Sequence, residues 1–117
     1  MTFAEYLKEK RQEKGFTLRG FANKVGIAPS YMSDIEKSKR NAPTQDILDK
    51  IADVLELTND EKNMLLDLAA TDKDAIAQDL TNYVSENSAV RVALRKAKEL
   101  KLGEEEWLQI IEEMEKK

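Results

Sequence analysis

The sequence predicts an all-α protein. Its apolar residues recur at spacings of three and four, and no segment alternates apolar with polar as a half-buried strand would. Two threonines each stand three positions before a glutamate, Thr2 before Glu5 and Thr58 before Glu61, which is the capping-box pattern of helix starts. Five helices are expected over residues 1–70 and about three more over residues 71–117.

The elements follow in order. Thr2 caps a first helix whose inner face carries Phe3 and Leu7, and Gly15 ends it. Thr17 caps a short second helix through Val25, and Gly26 supplies a tight turn that favours a residue tolerant of positive φ. Pro29 opens a third helix running to about Lys37, with Met32 and Ile35 turned to the core. Pro43 and Thr44 start a fourth, where Ile47, Leu48, Ile51, Ala52 and Leu55 form one apolar stripe. Thr58 opens a fifth carrying Met64, Leu65 and Leu68. Thr71 and Asp74 begin a sixth, with Ile76, Leu80, Tyr83 and Val84 on one side.

Asn87 or Ser88 caps a seventh helix, with Val90, Ala93, Leu94, Ala97 and Leu100 facing inward. Gly103 breaks the chain before the last. There Glu104, Glu105 and Glu106 fill the first turn and Lys116 and Lys117 the final one, both favourable to the helix dipole. The short stretch Ala69 to Asp74 is the expected domain boundary.

Composition narrows the function. With no Cys there is neither a disulfide framework nor a thiolate metal site. With no His, the commonest metal ligand and general base are missing too. Every Asp and Glu has a surface-helix explanation, so a carboxylate enzyme is disfavoured, and no cofactor or metal is expected. No apolar run approaches the ~18 residues of a membrane span, and the N-terminus lacks a signal-peptide layout; a cytoplasmic protein is expected. The net charge of −4 is unevenly spread: residues 1–43 carry nine Lys/Arg against five Asp/Glu, residues 44–117 ten against eighteen. The first part is basic where phosphates would lie, the remainder acidic.

The segment GFTLRGFANKVGIAPSYMSDIEKSKRNAP, Gly15 to Pro43, has the layout of a helix-turn-helix: a short scaffold helix, a turn with a flexible residue, then a helix able to enter a major groove. It resembles the phage-repressor-like (Xre-type) helix-turn-helix family, and the resemblance extends over about Phe3 to Leu68. Ala22 and Gly26 match the family's small residue at the helix crossing and its turn residue. The resemblance implies a compact five-helix DNA-binding domain and double-stranded DNA as partner.

With Met32 and Ile35 in the core, Ser30, Tyr31, Ser33 and Asp34 remain for the groove and its walls. By similarity, Pro29, Ser30 and Asp34 fall where family members touch base edges, with Ser33 and Tyr31 beside them. Asp34 is either an acceptor for a cytosine amino group or a solvated acid; Tyr31 reads as a contact to phosphate, sugar or a thymine methyl. Lys37, Lys39, Arg40 and Asn41 form a polar loop suited to phosphates, and backbone amides near Thr17 and Thr44 can hold phosphates too. Two departures stand out. Ala28 occupies the N-cap of the third helix, where relatives carry Ser or Thr, and Leu18 stands where some place Gln against a phosphate, a contact Arg19 can supply. In relatives, an Arg of the first helix and a Glu ending the recognition helix form a partly buried ion pair; Arg11 and Glu36 stand in those places, with an orienting role.

The last three helices are the natural place for a dimer contact or a partner dock. Trp107, Ile110, Ile111 and Met114 form an apolar face that either packs on the preceding helix or makes an interface. The tail from Asp79 to Ile111 is similar to tails of small bacterial regulators linked to mobile elements or toxin–antitoxin pairs, some with metallopeptidases that inactivate them. The leading expectation is a homodimeric, sequence-specific transcriptional regulator, a repressor at a promoter-overlapping operator whose half-sites lie ~34 Å apart. The alternative is an antitoxin-like module whose C-terminal helices bind a toxin or peptidase, with autoregulatory DNA binding.

Overall fold

A computed structural model describes residues 1–117 as eight helices: α1 (Phe3–Glu13), α2 (Leu18–Val25), α3 (Pro29–Glu36), α4 (Gln45–Val54), α5 (Asn59–Thr71), α6 (Gln78–Glu86), α7 (Ser88–Glu99) and α8 (Glu104–Glu115). The all-α class and the eight helices agree with the expectation from periodicity. None of them is long and apolar enough to cross a membrane. The chain divides into two compact units, Met1–Leu80 and Thr81–Lys117.

In the first unit the helix starts are built as their sequences require. Thr2 Oγ1 accepts from the Glu5 N–H while the Glu5 carboxylate accepts from the Thr2 N–H, and Thr58 and Glu61 repeat the arrangement at α5. The Glu5 carboxyl is held below its usual pKa by the Thr2 backbone N–H and then by the Thr2 hydroxyl. α1 packs on α3 and α5, α2 on α3 and α4, and α4 on α5. Leu7, Phe21, Val25, Met32, Ile35, Ile51, Leu55 and Leu65 are completely enclosed between them. The stripes converge because each places its apolar residues on one face at the 3.6-residue period.

Three expectations need correction. The sixth helix does not begin at Thr71 or Asp74. α5 runs on through Thr71, whose hydroxyl donates to the Asp67 carbonyl, and Asp74 at φ 54° ends the helical run in the left-handed region. α6 therefore starts only at Gln78, and Ile76 stands exposed in the intervening turn. Within α5, Met64 is half exposed and Leu66 is buried instead, because Leu65, Leu66 and Ala69 form the inward stripe.

The second unit carries the third correction. Leu94 and Leu100, expected to face inward, are exposed, Ala93 likewise, and only Ala97 of that helix is buried. Within this unit the end of α6, α7 and α8 offer one another too little apolar surface to cover a full stripe. Their ends are nonetheless well satisfied. The Asn87 side-chain amide donates to the Tyr83 carbonyl, and Arg91 Nη1 donates to the carbonyls of Val84 and Ser85, closing the end of α6. The Gly103 N–H donates to Glu106 at the start of α8, while Lys116 caps its end and Lys117 lies beyond.

Candidate nucleic-acid interface

The geometry of the candidate site begins with the turn between α2 and α3. Thr17 Oγ1 accepts from the Gly20 N–H at 3.0 Å and fixes the start of α2. Gly26 closes α2 at φ 91°, its N–H donating to the Ala22 carbonyl, and Ile27 donates to the same oxygen. This left-handed residue reverses the chain within three positions, so that Pro29 can start α3. Ala22 is completely buried where the helices cross. As the sequence implies, Ala28 makes no side-chain cap, so α3 begins with open backbone donors.

α3 is anchored by one side and open on the other. Met32 and Ile35 are sealed in the core, which leaves Ser30, Ser33, Asp34 and Lys37 on one stripe at helical spacing. Ser30 and Lys37 are exposed and Ser33 and Asp34 half-buried, while Pro29 and Tyr31 sit half-buried beside them.

Behind α3 the chain closes tightly. Ser38, at φ 59°, donates to the Ile35 carbonyl, and Lys39 N–H donates to the Asp34 carbonyl at 2.9 Å. This turn projects Lys39, Arg40 and Asn41 into solvent. Arg40 folds back toward α3: its guanidinium lies 5.2 Å from the Tyr31 ring centre, and its Nε is 3.7 Å from the Asp34 carboxylate. Tyr31, Asp34 and Arg40 thus form one cluster, which no sequence pattern announced. Thr44 is at the N-cap of α4 without a side-chain hydrogen bond, and Thr17 and Arg19 are exposed at the start of α2.

The end of α3 is locked to α1. Arg11 Nε donates to Glu36 Oε2 at 2.7 Å and Nη2 to Oε1 at 3.0 Å, a two-pronged pair with side chains 10% and 5% exposed. Arg11 Nη1 also donates to the Phe16 carbonyl at 2.8 Å, so both charges are satisfied where burial would otherwise penalise them. A second tether joins α1 to α5. Lys10 Nζ donates to Glu61 at 2.8 Å, and the Tyr6 hydroxyl to the Glu61 carbonyl at 3.2 Å. The Lys10 hydrogen bond draws the Glu61 carboxyl down to about 2, and the same bond raises the Lys10 ammonium. Sequence reading missed this tether because its partners lie 51 and 55 positions apart.

The face on α8 is divided: Trp107 and Ile110 are half-buried, Ile111 and Met114 exposed.

A helix-turn-helix family model matches residues 7–61. The transcriptional regulator SinR of Bacillus subtilis is 38% identical over 52 residues, which are 44% of this chain and 47% of SinR, so the match spans about half of that relative. YazB of Bacillus subtilis, an uncharacterized HTH-type transcriptional regulator, is 41% identical over 51 residues, 44% of this chain and 72% of YazB. A solved SinR protein/SinI protein complex shares the all-helical fold with a TM-score of 0.51 at 23% identity, covering 97% of this chain and 95% of that one.

Proposed function

The chain belongs to the phage-repressor-like (Xre-type) helix-turn-helix family, and from that premise we propose that it is a sequence-specific DNA-binding transcriptional regulator, a cytoplasmic repressor acting at a promoter-overlapping operator. The observation that carries this reading is the stripe Ser30, Ser33, Asp34 and Lys37. It lies on a helix whose opposite side is locked into the core, with a basic loop at its end. Residues 1–70 are the reader: Pro29, Ser30, Ser33 and Asp34 face base edges, the serines donating or accepting and Asp34 accepting from a cytosine amino group. Thr17, Arg19, Tyr31, Lys37, Lys39, Arg40, Asn41 and Thr44 hold sugar and phosphate, positioning the reader without reading sequence. The regulator names of both relatives support a non-catalytic role.

Residues 71–117 serve assembly. Leu94, Leu100, Leu108, Ile111 and Met114 are each exposed on α7 and α8 or at their ends, and this uncovered apolar surface is what supports the homodimer reading. The same observation favours a second reading, in which those helices bind a toxin or peptidase and DNA binding is autoregulatory.

The test is titration of labelled duplex from the gene's own upstream region against a scrambled duplex across salt. A steep salt slope with preference for the upstream duplex is expected, and equal weak binding to both would overturn sequence-specific regulation at that site.

A further inference from the structure

The turn between α5 and α6 lies outside the matched segment, yet it returns to the base of the candidate interface. Asp72 brings it there: its carboxylate accepts from the Phe3 backbone N–H at 3.1 Å, the first open donor of α1, across 69 positions. The turn is then closed by Lys73 N–H to the Ala70 carbonyl, Asp74 N–H to the Thr71 carbonyl and Ala75 N–H to the Ala70 carbonyl. The Lys73 side chain is thereby set on the wall of an open cleft of about 800 Å³ that it shares with Tyr31, Asp34, Lys39, Arg40 and Thr44.

Three cations line this cleft against one carboxylate, Asp34, which is already drawn to Arg40. Two acids flank Lys73 in sequence: Asp72 is engaged by Phe3, and Asp74 is exposed in the turn but does not line the cleft, so no ion pair holds the exposed Lys73 ammonium. A surplus of positive charge around an open, polar cleft suits a hydrated phosphodiester at the edge of the groove that α3 would enter.

The geometry points to Lys73 as a further DNA-backbone contact, set in place by Asp72 as a positioning residue. The reader then extends past the helix-turn-helix proper to the α5–α6 turn. This inference rests on the DNA-binding reading above.

Lys73→Gln, Lys73→Arg, Asp72→Ala and the Asp72→Ala/Lys73→Gln double variant, with Lys8→Gln on the exposed side of α1 as a charge-matched control, are titrated with the upstream and the scrambled duplex across salt. Each variant's fold is checked by circular dichroism and thermal melting. Lys73→Gln lowers the log–log salt slope by about 0.9, one phosphate contact, and weakens upstream and scrambled duplexes alike, whereas Lys73→Arg restores the slope. Lys8→Gln leaves the slope in place. Asp72→Ala is the sharper arm: removing a negative charge should strengthen DNA binding by electrostatics alone, but loss of positioning lowers the slope, with no further loss in the double variant. A Lys73→Gln slope equal to wild type, or an equal fall in Lys8→Gln, overturns the contact and leaves the DNA-binding reading standing. Tighter binding by Asp72→Ala overturns the positioning role. Absence of salt-dependent duplex binding by the unaltered chain overturns both readings together.

Discussion

Glu36 holds Arg11 with both carboxylate oxygens, and the remaining arm of that guanidinium reaches the Phe16 carbonyl. One side chain therefore joins α1, the turn before α2 and the end of α3. Glu36→Ala leaves the guanidinium enclosed without its counter-charge and is expected to cost about 3–5 kcal/mol. Joint replacement by Arg11→Met and Glu36→Leu is expected to cost much less, because no charge is then left alone. Denaturant melts of the three proteins check this; equal losses for the single and double variants would show that packing, not charge pairing, matters there.

Gly26 turns the chain at φ 91° in open surroundings, the Lys50 ammonium being 3.7 Å from where a Cβ would sit. The obstacle to a side chain is thus backbone strain, not space. Gly26→Ala is expected to destabilise by about 1–2 kcal/mol and Gly26→Asn by less, since Asn tolerates the left-handed region. Thr17→Ala removes the α2 cap and is expected to cost about 1 kcal/mol. Thermal melting of each variant gives the comparison.

The Lys10–Glu61 tether makes stability depend on acid. Glu61 is drawn to about 2 when folded, below its unfolded value of about 4.3, so its contribution is complete above the latter and lost as pH falls toward the former. Lys10 is raised, so its contribution holds below its unfolded value of about 10.4 and is lost only as pH rises through the higher folded one. Glu61→Gln keeps an acceptor for the Thr58 N–H and removes the charge. The melting-temperature gap between wild type and this variant is expected to be widest near neutrality and to close between about pH 4.3 and 2. A constant gap across that window would remove the ion pair from the account.

Tyr31, Asp34 and Arg40 form one cluster, so their effects on DNA binding should not add. Arg40→Ala is expected to weaken all duplexes alike and lower the salt slope by about 0.9. Asp34→Ala is expected to relax base preference while nonspecific affinity is kept or raised, because Arg40 loses its neighbouring acid. Tyr31→Phe retains the ring under the guanidinium but loses the hydroxyl that would reach sugar or phosphate, so its binding should fall between those of wild type and Tyr31→Ala. Unchanged preference at every base in Asp34→Ala would remove it from the reading residues.

The exposed apolar side chains on α8 bear on assembly. Ile111→Lys with Met114→Lys is expected to shift the sedimenting species toward monomer and weaken operator binding, with the intrinsic half-site contacts intact. A monomeric wild type at micromolar concentration would move this face from self-association to a different protein partner.

What could be read directly from the residues was whatever depends on neighbours a few positions apart. Thr2 with Glu5, Thr58 with Glu61, Thr17 and Gly26 marked helix ends because caps and left-handed turns are local hydrogen-bond and steric events. Met32 and Ile35 marked the inner side of α3 because helical periodicity is local as well. The three-dimensional packing decided what lies between distant segments. It extended α5 through Thr71, left Leu94 and Leu100 uncovered, folded Arg40 onto Tyr31 and Asp34, and brought Asp72 to the open N–H of Phe3. Such contacts arise only when helices meet and their unsatisfied donors, acceptors and charges find one another across the chain, a pairing that sequence spacing does not encode.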